Sequence, residues 1–212
     1  TQLIMKKNLL ALAFLVGLLT CCKSEDAPIK PVKPTDPGSI NKEYMSRAET
    51  TFANIFKYYW SDKVRMMFGS YPNTLGTPQE PSSPDYDSHA YLWGLGSVVS
   101  AFNAIVQNTD NVDFRMTYES RLKETLLKYY NTTKEPMCFG CFVNPHDQRL
   151  YDDAIWVGID LADLYSKTKD SWYLDYAKSV WNFVLSGKDD ELGGGVYWDE
   201  NAKDSKNLSL IH

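Results

Sequence analysis

The sequence predicts an all-α domain, and three observations carry that prediction. Apolar residues recur at three- and four-residue steps in five segments, so each segment gathers them on one helical face. Two of the five are apolar nearly all round, and each leads through a polar loop to an amphipathic partner. No stretch alternates as a half-buried strand would, apart from one candidate short strand at 195–198. Buried inner helix, turn and amphipathic outer helix make up the unit of an α/α toroid, in which inner helices ring an axis and outer helices coat them. Six such pairs close a full (α/α)6 barrel. This chain supplies about five or six of the twelve helices, so the expected architecture is an incomplete barrel.

In chain order, the first helix spans 42–60, with Tyr44, Ala48, Phe52, Ile55, Phe56 and Tyr59 on one face. A loop rich in Pro, Gly and Ser follows at 69–88. The segment 90–106 carries Tyr91, Leu92, Trp93, Leu95, Val98, Val99, Phe102 and Ile105 and reads as a buried helix. Its partner at 115–130 turns Tyr118, Leu122, Leu126 and Leu127 inward. The segment 153–165 is again mostly apolar, and 172–185 is amphipathic through Tyr176, Val180 and Phe183. Trp93 with Gly94 and Gly96 recurs as Trp156 with Gly158, a weak internal period of about sixty residues.

The chain has 212 residues, which allows one domain plus attachments at about 150 residues per domain. A hydrophobic fraction of 43% and a charged fraction of 23% are ordinary for a chain that buries a core, and the 14% of aromatic residues fits stacking surfaces for flat apolar ligand faces or a ring-rich core. With 27 acidic against 22 basic residues, a net charge of −5 and no Lys/Arg stripe, nucleic acid is excluded as a partner.

The first forty residues read as an address. Met5-Lys6-Lys7 precedes an uncharged apolar run from Leu9 to Leu19, the pattern of a secretory signal and too short for the roughly 20 residues that a spanning helix takes. The run ends at Leu18-Leu19-Thr20-Cys21-Cys22, which resembles the lipobox of bacterial lipoproteins, so Cys21 or Cys22 is the expected lipidation site. Lys23-Ser24-Glu25-Asp26 is similar to the acidic tag of surface lipoproteins of the Bacteroidetes, which implies a lipid-anchored protein on the outer membrane, at the cell surface. Pro28, Pro31, Pro34 and Pro37 favour a stiff polyproline spacer. The expected organisation is a lipoprotein signal peptide at 1–22, a tether at 23–42 and a partial catalytic domain at 43–212.

The chemistry centres on Tyr151-Asp152-Asp153-Ala154-Ile155-Trp156. Neighbouring carboxylates on a regular helix diverge by about 100°, but if the helix begins at Asp153 the first acid has free dihedrals and both groups can face one cleft. Consecutive Cα atoms lie about 3.8 Å apart, so a carboxyl separation near 5 Å, as retaining glycosidases use, is attainable. Repulsion within such a pair drives one pKa up and the other down. The helix N-terminus adds positive potential for the charged partner. The plainer reading is an N-cap Asp with an acidic first-turn neighbour, and spacing alone favours it.

Tyr91-Leu92-Trp93-Gly94, then Tyr151-Asp152-Asp153 with Trp156-Val157-Gly158, then Ser186-Gly187 leading to Gly193-Gly194-Gly195-Val196-Tyr197-Trp198 together resemble glycoside hydrolase family 76, the endo-α-1,6-mannanases. The resemblance covers most of 42–198 and implies an (α/α)6 barrel that cleaves α-1,6-linked mannan with retention. It implies Asp152 as nucleophile and Asp153 as general acid and base. The family usually has a second Trp where this chain has Val157. It also continues past Leu208-Ser209-Leu210-Ile211-His212 with further helices, so the expectation is a part ring with uncovered apolar flanks and low or absent activity.

Tyr91, Trp93, Tyr151, Trp156, Tyr197 and Trp198 are candidate sugar contacts, as are Gly194 and Gly195, which have no Cβ to obstruct a close approach. For each Trp, core packing is an equally good account. No cofactor is expected. Asp189-Asp190-Glu191 lacks the EF-hand ligand order, and Cys138-Phe139-Gly140-Cys141 would need two more ligands for zinc, with His146 alone nearby. A short-loop disulfide or two idle thiols both suit that pair in an exported chain. His89, His146 and His212 are scattered, which disfavours a triad, a metalloenzyme or an epimerase. The alternative function is a non-catalytic surface glycan-binding lipoprotein, which has no need of two carboxylates in contact.

Overall fold

The computed structural model describes residues 42–72, 89–143 and 148–206. The signal, tether and lipidation readings, with Cys21 and Cys22, lie outside the described residues, as do most of the loop at 69–88, His146 and His212.

All five expected helices are present: α1 (Lys42–Tyr59), α2 (Leu92–Asn108), α3 (Val112–Tyr129), α4 (Tyr151–Thr168) and α5 (Ser171–Ser186). Local chemistry sets their ends. Asn111 accepts the Phe114 amide at 3.0 Å and starts α3 three residues earlier than the apolar pattern indicates. Asp170 does the same for α5 through the Trp172 amide at 3.0 Å. Helix α4 stops at Lys169, whose φ of 61° is left-handed and whose N–H donates to the Tyr165 carbonyl.

Each amphipathic helix runs on to a small antiparallel hairpin. These are β1 (Trp60–Ser61) with β2 (Met66–Met67), β3 (Tyr130–Asn131) with β4 (Cys138–Phe139), and β5 (Tyr197–Asp199) with β6 (Ala202–Lys206). The sequence indicated only the third, because two-residue strands leave no room for an alternating pattern.

Helices α2 and α4 lie side by side and parallel. A Cβ added at Gly96 would sit 3.6 Å from Val157. Further along, Ser100 donates to Asp160, and Gln107 Nε2 donates to the Asp163 carbonyl at 2.9 Å. Rising numbers on one helix meet rising numbers on the other. The amphipathic helices form a second parallel row: Phe52 of α1 meets Phe114 of α3 at 5.3 Å, and Lys123 of α3 pairs with Asp170, the cap of α5, at 2.6 Å. Contacts at a separation of 60 residues recur through the molecule, so the weak sequence period is a structural repeat.

The core between the rows holds Phe52, Phe102, Leu126, Val157, Leu161 and Phe183. Helix α5 approaches α4 so closely that a Cβ on Gly158 would lie 2.6 Å from Val180 Cγ1. On the far flank of α4 and α5, Ile159, Trp181 and Leu185 are exposed beside an apolar groove of about 510 Å³. No helix among the described residues is long and apolar enough to cross a membrane.

Candidate active site

Because α2 and α4 are parallel, their N-termini open at one end of the layer, and the hairpins after α3 and α5 knit that end together. Leu92 N–H donates to the Cys141 carbonyl and Cys141 N–H to the Gln148 carbonyl, both at 2.9 Å. Leu150 bridges Asp199 of β5, and Glu200 N–H reaches the Arg149 carbonyl at 3.4 Å.

Arg149 anchors this platform from below. Its side chain is 1% exposed, and it donates to both Glu200 carboxylate oxygens at 2.9 and 2.6 Å and to the Pro136 carbonyl at 2.6 Å. The guanidinium lies 4.7 Å from the Phe183 ring centre. Tyr151 stacks on the same Phe183, with centroids 4.4 Å apart and planes 17° from parallel.

Helix α4 begins at Tyr151, not Asp153, because Leu150 is held extended in its bridge to β5 and the helix starts directly after it. Both acids therefore occupy the first helical turn, and the expected junction between them falls earlier. The Asp153 amide donates to Asp152 Oδ1 at 3.0 Å, which orients one carboxylate against the other's backbone. Asp153 is 8% exposed. Burial, and then the charge of Asp152, push its carboxyl up to about 6, and a hydrogen bond with the Cys141 thiol opposes the rise. An acid lifted this far holds its proton in mildly acidic water, as a proton donor must.

Asp153 lines a cavity of about 310 Å³ whose other walls include Trp93, Trp156, Ser97 and Ser100. Trp93 is 56% and Trp156 51% exposed, so ring faces are available at the mouth. Below, Asp160 is buried and accepts from Ser100 and, at 2.8 Å, from Asn103.

Other sequence candidates are placed differently. Tyr91 is half exposed, edge-on to Phe142 at 5.0 Å, and Trp198 is exposed on β5. Tyr151 and Tyr197 are buried with their rings packed inward, Tyr197 bonding Asp189 and lying 4.7 Å from the Lys206 ammonium. Val157 is also fully buried, in contact range of Gly96, so this departure from the usual Trp affects packing. Gly194 and Gly195 have φ of 91° and 87°, and backbone conformation explains glycine there. The acidic run at 189–191 receives an ammonium: Lys206 Nζ lies 2.6 Å from both Asp189 Oδ1 and the Glu191 carbonyl. Cys138 and Cys141 are buried free thiols. Among the described residues no His, Cys, Asp and Glu cluster could hold a metal. Sequence reasoning missed the contact of Cys141 with Asp153, because nothing in the spacing of residues 141 and 153 announces it.

This layering of parallel inner helices under an outer row, open at the inner N-termini, defines an α/α toroid protein. Within that class the chain belongs to glycosyl hydrolase family 76, whose model matches residues 43–209. A family 76 glycoside hydrolase from a bovine Bacteroides thetaiotaomicron strain is 27% identical, with a TM-score of 0.64 over 76% of this chain and 34% of its own. A family 76 mannosidase from Bacteroides thetaiotaomicron VPI-5482 is 24% identical, with a TM-score of 0.62 over 77% of this chain and 43% of its own. Cellobiose 2-epimerase from Spirochaeta thermophila DSM 6192, 14% identical, shares the fold at a TM-score of 0.51 over 76% of this chain and 41% of its own. The chain thus spans well under half the length of the solved structures that it matches. None of the curated proteins compared is similar enough to count as a match.

Proposed function

We propose that the protein is an endo-acting glycoside hydrolase that cleaves α-1,6-mannosidic linkages with retention of configuration. The observation that carries this reading is Asp153, an acid raised to about 6 beside a second acid, in a cavity walled by Trp93 and Trp156. The 27% identical relative is a family 76 glycoside hydrolase, and another structural neighbour is described as a mannosidase. The cavity of about 310 Å³ sits at the small end of ligand pockets, enough for a sugar unit with its neighbours in solvent.

In this mechanism Asp152 attacks the anomeric carbon through a carboxylate oxygen while Asp153 gives its proton to the departing glycosidic oxygen. The glycosyl-enzyme ester on Asp152 is then opened by water, whose proton returns to Asp153. Trp93 and Trp156 offer apolar faces to the C–H surfaces of the sugar. The protein is lipid-anchored through Cys21 or Cys22 and works at the cell surface, a reading supported by the apolar run and the acidic segment that follow one another at its start.

Incubating the protein with α-1,6-mannan, and following released oligosaccharides and their anomeric proton signals, tests the reading. Oligosaccharides of retained configuration, lost in both Asp152→Asn and Asp153→Asn, are expected. Binding that survives in both variants, with no products from the parent protein, would establish the glycan-binding alternative instead. Labelled palmitate incorporated by the parent, and not by a Cys21→Ala/Cys22→Ala variant, tests the anchor.

A further inference from the structure

We propose that Ser100 selects the ligand of this cavity by accepting a hydrogen bond from one of its ring hydroxyls, and that Asp160, buried behind it, is the positioning residue that fixes the serine in that polarity. Trp93, Gly96, Ser97 and Ser100 follow one another at helical steps along α2, and all four line the cavity that Asp153 and Trp156 close from α4. Gly96 has no side chain to block the wall between Trp93 and Ser100. Ser100 bonds Asp160, and Asp160 lies two turns beyond Asp153 on α4, about 10 Å at the rise of an α-helix. Ser100 therefore stands at the far end of the cavity from Asp153.

The polarity follows from counting protons. A serine hydroxyl has one proton to give and two lone pairs, and Ser100 gives its proton to Asp160 Oδ2. The other carboxylate oxygen, Oδ1, accepts from Asn103 Nδ2 at 2.8 Å. Asn103 is itself held in that orientation, because its Oδ1 accepts from Gln107 Nε2 at 3.1 Å and Gln107 Nε2 also reaches the Asp163 carbonyl at 2.9 Å. The donors run one way along the seam between α2 and α4 and end on the Asp160 carboxylate. Ser97 spends its proton on the Trp93 carbonyl at 3.3 Å. Both serines thus turn lone pairs to the cavity, so the ligand group that meets them must donate. A sugar hydroxyl does this; a hydrogen or a fluorine in its place does not. If the network served only to set α2 against α4, its loss would lower stability without regard to any hydroxyl of the ligand.

That the ligand is a mannose unit rests on the function proposed above, and the test separates the two. Binding of methyl α-mannoside, and of its deoxy and deoxyfluoro forms at each ring hydroxyl, is titrated by ligand-observed NMR. In the unsubstituted protein, deoxy and deoxyfluoro forms at one position should both bind about 3- to 10-fold more weakly than the parent sugar, the share of one neutral hydrogen bond. This comparison needs no variant to fold. Ser100→Ala should weaken the parent sugar by the same factor and leave that deoxy form unchanged. Asp160→Asn places an amide donor against Ser100, so the serine proton turns to the cavity, and the deoxyfluoro form should then bind better than the deoxy form. A fluorine that substitutes for the hydroxyl in the unsubstituted protein, equal losses on parent and deoxy sugars in Ser100→Ala, or no saturable binding of the panel overturns the proposal. If mannan is hydrolysed while Ser100→Ala binds the whole panel as the unsubstituted protein does, the proposal fails and the hydrolase reading stands. If the panel behaves as expected and mannan is not hydrolysed, the hydrolase reading fails and Ser100 keeps its role in a glycan-binding protein.

Discussion

Replacing Gly187 by Ala tests how the acid pair is held. Gly187 has φ of −93° and ψ of 1°, a conformation that any residue adopts, so backbone strain does not enter. Space does: a Cβ at this position would lie 2.3, 2.6 and 2.7 Å from three atoms of the Tyr151 ring. These are ring atoms, and the ring is pinned against Phe183 at 4.4 Å, so it cannot swing aside without moving the first residue of α4. Overpacking of this kind costs about 1–3 kcal/mol, against the roughly 0.4–1 kcal/mol that a Gly→Ala change gains by restricting the unfolded chain. The net loss is about 1–2 kcal/mol, or roughly 2–8 °C in Tm for a domain of this size. Thermal melting by circular dichroism reads it. Activity should fall more than stability alone predicts, because Asp152 and Asp153 directly follow the displaced ring. Adding Tyr151→Leu should return part of the lost Tm. An unchanged or higher Tm in Gly187→Ala, or no rescue by the second substitution, would refute the reasoning.

Asp153→Asn should stabilise the protein while abolishing hydrolysis. The folded-state pKa of about 6 lies above the ordinary carboxylate value, so the folded protein binds this proton more tightly, and stability is lost as pH rises through about 6. The penalty approaches about 3 kcal/mol above that pH. The variant should therefore melt higher than the parent at pH 7.5 and equally at pH 4; equal melting at both would count against a buried acid. Arg149→Met should cost about 3 kcal/mol in urea denaturation, the low end for breaking a buried pair, because Glu200 loses its buried guanidinium and keeps only the partly exposed Lys134 ammonium at 3.1 Å, and adding Glu200→Gln should recover part of it. Asp170→Ala removes the cap of α5 and its pairing with Lys123, which predicts a loss of about 1–2 kcal/mol; a loss below the error of the melt would mean that the partly exposed pair contributes nothing. Trp93→Ala should raise KM for mannan about 5- to 20-fold with a smaller change in kcat, and an unchanged KM would assign that ring to packing alone.

The helices were legible because burial is periodic. Phe52 and Phe56 lie one turn apart and are both buried, and α2 and α4, apolar nearly all round in sequence, are the two helices that lie side by side beneath the amphipathic row. Their ends were less so, because caps such as Asn111 and Asp170 are polar residues outside any apolar pattern. The first two hairpins escaped notice because their strands are two residues long. In the site, residue type pointed to Asp152, Asp153, Trp93 and Trp156, but type does not say which way a ring faces: Tyr151 and Tyr197 have the composition of sugar contacts and turn inward, one onto Phe183 and the other beside Lys206. The thiol against Asp153 depends on a loop folding back across twelve residues, and no local periodicity encodes such a return.

The recurrence of contacts sixty residues apart has a thermodynamic consequence. Each helical pair touches its immediate neighbour and little beyond it, so cohesion is passed along as a chain of adjacent couplings, in the manner of stacked tiles. Substitutions at Phe52, in the first tile, and at Phe183, in the last, share no partner and should have additive free energies, whereas changes at Ser100 and Asp160, which face each other across one seam, should not.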